Sequence, residues 1–309
     1  MEKLYRPLGK TGFNISPVVY GGIVSMKVGQ ENSDENVKWA IDQGINYFDV
    51  APAYGDAQEK LGNSLVPYRN KIYLACKTQK RTRKEAEVEF KESLRLLKTD
   101  YFDVYQMHEL SRLDELDTAF GPGGVMELMK ELKEKGLVKK LGISCHSEKV
   151  ALKALELYNF DTVLFPINWH MNLKYGMGNQ LIKVAKEKGV GILCMKSMIE
   201  RAWDNDNPDR DKECNKKYNK SWSKPFDTDT DKRLLLAAIK YVFSLGVDTI
   251  VPPGDFDHFS FGVKNIENIL KNPLSEEELN LLKTHLKEVE NLPFFDVETG
   301  KMVNARINV

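Results

Sequence analysis

Four side chains capable of acid–base chemistry close or follow three successive apolar segments of this sequence. Tyr47-Phe48-Asp49 ends in a carboxylate, and Tyr54 follows in a turn bounded by Pro52 and Gly55. Ile72 to Cys76 runs into Lys77, and Phe102 to Met107 runs into His108. A phenol is a weak acid at neutral pH, with an ordinary pKa of about 10. A lysine ammonium beside it favours the phenolate and lowers that value. Asp49 would keep Lys77 charged and aimed. His108 would hydrogen-bond a carbonyl oxygen or share the proton. The set suits protonation of the alkoxide formed when a hydride reaches a carbonyl. None of these groups supplies the hydride, so a nicotinamide must. Singly, each has a plainer explanation: a turn-forming Asp, a surface Tyr, a solvated Lys, a polar His cap. Their order, each one strand unit from the last, selects the chemical reading.

The elements that must position them repeat as strand, loop, helix. A hairpin over Tyr5 to Ser16 precedes the first strand, Pro17 to Gly21. The further strands are expected at Tyr47–Asp49, Ile72–Cys76, Val104–Met107, Lys140–Ser144, Thr162–Pro166, Gly191–Met195 and Asp248–Val251. Helices are expected at Asp34–Gln43 (capped by Ser33 or Asp34), Ala57–Leu65, Thr82–Leu97, Gly124–Glu134, Ser147–Leu157, Asn179–Lys188 and Thr230–Leu245. Two more, His258–Leu270 and Ser275–Val289, close the chain. Eight short apolar strands alternating with helices predict a (β/α)8 TIM barrel with an N-terminal β-hairpin and extra C-terminal helices. An open doubly wound sheet would normally carry G-x-G-x-x-G after its first strand, and no such motif occurs. In a barrel the active site lies at the C-terminal ends of the strands, where Asp49, Lys77 and His108 fall.

No linker or low-complexity tract divides the 309 residues, so one domain spanning 1–309 is expected. Hydrophobic content of 42% supplies a large core, and a formal net charge of zero gives no electrostatic case for nucleic acid or a membrane surface. The opening residues lack a signal-peptide apolar region and no apolar run reaches spanning length, so a cytoplasmic protein is expected. Cys76, Cys145, Cys194 and Cys214 form no C-x-x-C pair, and no metal site is expected. The long segment Ile199 to Thr228 carries Trp203, Tyr218, Trp222 and Phe226 among many charges. It is expected to act as a lid, with protease-sensitive bonds near Arg210 to Lys220. Trp169-His170 would line the pocket or cap the core.

Several motifs together resemble the aldo-keto reductase family over nearly the whole chain. They are Tyr5 to Gly12, Phe48-Asp49-Val50-Ala51-Pro52-Ala53-Tyr54-Gly55, Leu141-Gly142-Ile143-Ser144, Gly246 to Gly254, and Lys264-Asn265-Ile266-Glu267-Asn268. The resemblance implies an NAD(P)H-dependent oxidoreductase that reduces an aldehyde or ketone, a small-molecule carbonyl substrate. Asp49, Tyr54, Lys77 and His108 would be its catalytic tetrad, with Tyr54 the general acid. The cofactor would be held by Gly22, Ile23, Asp49, Ser144, Asn168, Met195, Lys196, Ser197, Pro253, Gly254, Lys264, Glu267 and Asn268. Ser144 and Asn168 would take the carboxamide, Met195 the nicotinamide face, Lys196 and Ser197 the pyrophosphate, and the last five the adenosine. NADP(H) is favoured over NAD(H) through Lys264, although Asp255 and Asp257 near the 2′-phosphate position argue the other way. Departures from the family pattern are Cys145-His146 after Ser144, Leu164 in the sixth strand, and Met195. The alternative function is a non-catalytic, cofactor-binding regulatory subunit on the same fold. A Schiff-base aldolase using Lys77 or Lys196 ranks below it.

Overall fold

Side-chain alternation decides how this chain folds. In the second strand, Tyr47–Asp49, residues 47 and 49 face one way and Phe48 the other. The third strand, Tyr73–Thr78, turns Ala75 and Lys77 inward while Leu74 and Cys76 join the packing against the helices. Tyr47, Ala75, Val104, Leu164 and Leu193 thus share an inner apolar layer with Leu8, Ile15 and Val19. Two residues further along the second, third and seventh strands lie Asp49, Lys77 and Met195. The period of two that builds the core therefore also delivers polar groups to its upper rim.

The structure, a computed structural model, describes residues 4–205 and 218–305. Eight parallel strands follow one another in sequence order. They are Tyr20–Gly21, Tyr47–Asp49, Tyr73–Thr78, Phe102–Leu110, Val138–Cys145, Thr162–Pro166, Gly191–Met195 and Thr249–Val251. Val18 bridges Ile250 in parallel, with Val19 N donating to Ile250 O at 2.9 Å and Ile250 N to Pro17 O at 3.0 Å, which draws the first strand to the eighth. The fold is a (β/α)8 barrel. The hairpin of Arg6–Pro7 and Asn14–Ile15 plugs its N-terminal end. There Leu8 lies so close to Gly191 that an added Cβ would come within 2.6 Å of the leucine side chain.

Element positions follow the sequence reading closely, with three differences. The first helix is Gln30–Asp42, starting ahead of the expected Asp34. Ser33 is not its cap: its hydroxyl meets those of Ser25 and Ser64, each at 3.0 Å, fastening this helix to the next, Ala57–Leu65. Asp34 serves the same junction by accepting from Ser64 at 2.6 Å. Short helices at Leu113–Phe120 and Trp169–Tyr175 were not expected. Each begins just beyond a barrel strand, where a strand-to-helix loop was read. The long segment after the seventh strand contains a small antiparallel pair, Ile199–Arg201 with Lys224–Pro225.

Candidate active site

The fourth barrel strand changes register near its end. Met107 pairs with Ile143 and Leu110 with Cys145, so one extra residue is accommodated between them. Such a bulge re-aims side chains. Glu109 adopts a left-handed backbone, φ 55°, and both His108 and Glu109 border the same cleft. Arg81 fixes this strand end by donating to His108 O at 2.6 Å and pairing with Glu115 at 3.0 Å. Tyr54 is placed by a tight turn in which Tyr54 N donates to Ala51 O and Ala57 N to Tyr54 O. Gly55 closes that turn at φ 53°, a value glycine adopts without strain.

These elements bring four of the expected residues together. Lys77 is fully buried and donates to Asp49, itself 2% exposed. Its Nζ also lies 3.4 Å from the Tyr54 hydroxyl and 5.0 Å from the ring centroid. The rings of Tyr54 and His108 meet edge to face, centroids 5.6 Å apart. Burial works against the Lys77 charge, but Asp49 and Tyr54 outweigh it and raise its pKa, so the ammonium persists. Burial dominates at Tyr54 and raises the phenol, while Lys77 pulls it down. Depression of the phenol by Lys77 was the sequence expectation; the pull is present, but desolvation exceeds it. Burial, then the charges of Lys77, His146 and Arg81, hold His108 well below the usual imidazole range, and its Nδ1 has no hydrogen-bond partner among the described residues. His108 is therefore neutral near pH 7.

An open cleft of about 160 Å³ lies above them. Of the expected cofactor contacts, Ile23, Asp49, Ser144, Met195, Lys196, Pro253 and Gly254 border it. Gly22 lies in the neighbouring turn, where a Cβ would come 2.8 Å from Val50. Asn168 is set apart by its bonds. Its oxygen accepts from His170 N and Met171 N, and its amide donates to Lys196 O at 2.9 Å and Ile199 O at 2.7 Å. It braces the turn that carries Lys196. Ser197 is buried beside that turn, and its hydroxyl has no hydrogen-bond partner among the described residues. Lys264, Glu267 and Asn268 sit on the outer helix Phe256–Lys271 and do not border the cleft. Lys264 faces the Trp39 ring at 6.0 Å, Glu267 pairs with Lys271 at 2.7 Å, and Asn268 accepts from Asn272.

The segment after the seventh strand covers one side of the cleft. Trp222 borders it, and Lys220 reaches across to Val24 O at 3.0 Å. Trp203 and Tyr218 form a buried pair, and Phe226 is buried against Trp169. Residues 206–217, including Cys214 and most of the Arg210 to Lys220 stretch, lie outside the described residues. Trp169 is buried and donates to Ile199 O at 3.1 Å, capping the core and not lining the cleft. Cys76, Cys145 and Cys194 are buried and free, and among the described residues no group of His, Cys, Asp or Glu is arranged to hold a metal. Glu109, Lys220 and Met302 border the cleft without having been singled out for it. Glu109 is the residue after His108, which was a usable signal, whereas nothing in the sequence marks Met302.

A family model described as the aldo/keto reductase family matches residues 19–287. The chain belongs to that family. Among its aldo-keto reductase relatives, YhdN of Bacillus subtilis is 32% identical over 161 residues, covering 45% of this chain and 46% of that protein. L-galactose dehydrogenase of Arabidopsis thaliana is 28% identical over 211 residues, covering 61% and 63%. These matches span less than two thirds of either relative's length. The aldo-keto reductase AKR11C1 of Bacillus halodurans, solved in a holo form, superposes with a TM-score of 0.68 at 21% identity, covering 91% of this chain and 95% of that one. That likeness establishes the barrel. The family comprises oxidoreductases that act on carbonyl groups with NAD(P)H in general. Among the described residues no helix is long and apolar enough to cross a membrane.

Proposed function

We propose that this protein reduces an aldehyde or ketone to an alcohol with NAD(P)H, Tyr54 delivering the proton. The observation that carries the reading is the contact series Asp49, Lys77, Tyr54, His108 beneath an open cleft. Tyr54 is the group whose hydroxyl proton passes to the oxygen of the reduced carbonyl. Lys77, kept charged by Asp49, stabilises the phenolate left behind. Neutral His108 hydrogen-bonds the carbonyl oxygen and orients it. The cleft residues fit a dinucleotide. Lys196 and Lys220 border it as cations, and the buried Ser197 hydroxyl beside Lys196 lacks a hydrogen-bond partner among the described residues. Lys196, Ser197 and Lys220 would hold the phosphates, and Ile23, Ser144, Met195, Pro253 and Gly254 the remainder. A bound nicotinamide supplies the hydride.

NADP(H) is favoured over NAD(H) in this reading. The Asp255 carboxylate, which would repel a 2′-phosphate, is occupied by the His258 ring at 2.7 and 2.8 Å. Steady-state oxidation of NADPH and NADH with a carbonyl panel tests the function. Tyr54→Phe keeps the ring and removes the acid, so the rate should fall roughly a hundred- to ten-thousand-fold with cofactor affinity retained. Activity within about twofold of wild type would remove Tyr54 from the mechanism.

A further inference from the structure

Lys196 is held in a left-handed backbone conformation, φ 66°. For a side-chain-bearing residue this conformation is strained and persists where surrounding bonds over-determine it. Here two donors do so: Asn168 Nδ2 at 2.9 Å and Ile199 N at 3.1 Å both bond Lys196 O. The consequence is a lysine whose side chain borders the cleft, its Nζ 5.5 Å from the Trp222 ring centroid. Among the described residues no carboxylate forms an ion pair with it. Lys220, the other lysine bordering the cleft, is engaged with Val24 O at 3.0 Å, and Lys77, buried beneath it, with Asp49.

We propose that Lys196 is a covalent carbonyl-binding site, an amine that forms a reversible imine with small aldehydes entering the cleft. The neutral amine attacks the carbonyl carbon, the C=O π pair moves to oxygen, and proton transfer gives a carbinolamine. Loss of that oxygen as water leaves the C=N bond, and water restores the free amine. No cofactor and no net redox change are involved, so the site stands or falls separately from hydride transfer. The surroundings raise the neutral fraction of the amine, although at pH 7 most of it remains the ammonium. Burial lowers its pKa to about 8, against a smaller opposing pull from Glu109. Of the other titratable groups bordering the cleft, His146 at the end of the fifth strand is held neutral at pH 7, its pKa lowered to about 3 by burial and then by Lys196. His108 is neutral as well. Lys220 adds a further positive charge on the covering segment. At pH 7 the unprotonated fraction of Lys196 exceeds that of an ordinary lysine by on the order of a hundred-fold.

The test is reductive trapping of the full chain, without added cofactor, by glycolaldehyde and cyanoborohydride at neutral pH, read by peptide mass mapping over time. The expected result is one early adduct at Lys196, formed about ten-fold or more faster than at the surface lysines. Its rate should rise with pH and level off above about 8, while surface lysines continue to gain. Lys196→Arg, which preserves charge, should abolish the early adduct and leave slow surface labelling unchanged. Early labelling at Lys220 or at surface lysines instead, or a Lys196 rate equal to theirs, overturns the proposal. The wild-type map alone is decisive if the variant does not fold.

Discussion

Lys77 shows how far a charge can be taken into a barrel when its partner is fixed. It is fully buried, and its compensation comes from Asp49 one strand away. Removing one member of a buried pair costs about 3–5 kcal/mol, because the other charge is left behind. Lys77→Met should therefore melt at a distinctly lower temperature, and adding Asp49→Asn should recover much of that loss without restoring activity. The second expectation is a pH effect. Lys77 opposes the burial that raises the Tyr54 phenol. Without it the phenol rises further, so alcohol oxidation, which needs the phenolate, should move to higher pH or disappear. Thermal melts and a pH–rate profile of the oxidation direction check both points. An unchanged profile at comparable rate would separate Lys77 from Tyr54. These residues were legible because strand ends can be found from apolar segments, and each lies at or just after one. The left-handed backbones of Lys196 and Glu109 were not legible, because residues of these types give no sign of it.

At the scale of elements, the stretch 218–226, whose residues 220–222 border the cleft, is tied to the start of the helix Phe256–Lys271 by the His258 imidazole. His258 Nε2 faces Phe226 O at 2.7 Å, and Nδ1 faces both oxygens of Asp255. A carbonyl and a carboxylate only accept, so both ring nitrogens must donate, which only the imidazolium does. Burial opposes the charge, but the bonds and charge of Asp255, the Phe226 carbonyl and the charge of Asp257 raise the pKa. A raised folded-state pKa means this contribution is fully present below the unfolded value of about 6.5 and lost as pH rises through the folded one. Hydrogen exchange across 219–226 should therefore show less protection as pH climbs above that window, after correction for intrinsic exchange. His258→Ala should remove the pH dependence and cost about 1–3 kcal/mol by leaving a buried acceptor unpaired. Protection in that segment that is identical in the variant would show the clasp to be immaterial. Nothing in the sequence revealed this tie, since it joins residues 32 apart through a carbonyl that any residue could present. The short helices at Leu113–Phe120 and Trp169–Tyr175 escaped for a related reason. At about two turns each they are too short for a full amphipathic pattern, and the second depends on the Asn168 cap.

The barrel as a whole was the most readable level, because eight repeats of one pattern leave few other ways to bury the strands on both faces. What repetition could not convey was which distant segments would share the cleft, whose borders run from Gly21 through every later strand region except the third to Met302. A ligand filling it touches most of the barrel at once, so its binding free energy acts on the stability of the entire fold. At a hundred times its dissociation constant a ligand adds about 2.7 kcal/mol, which for a chain of this size raises the melting temperature by about 4 °C. If Asp255 is neutralised by His258, NADPH at equal concentration should raise it more than NADH. Lys264 supplies the opposing test. It is exposed on the outer helix beside Trp39, outside the cleft border, and a 2′-phosphate extending past Gly254 would have to reach it there. If it does, Lys264→Ala should weaken NADPH about ten- to a hundred-fold and spare NADH, closing the gap between the two melting shifts. Equal loss for both cofactors would place Lys264 away from the phosphate, and a larger shift with NADH in the wild type would reverse the preference.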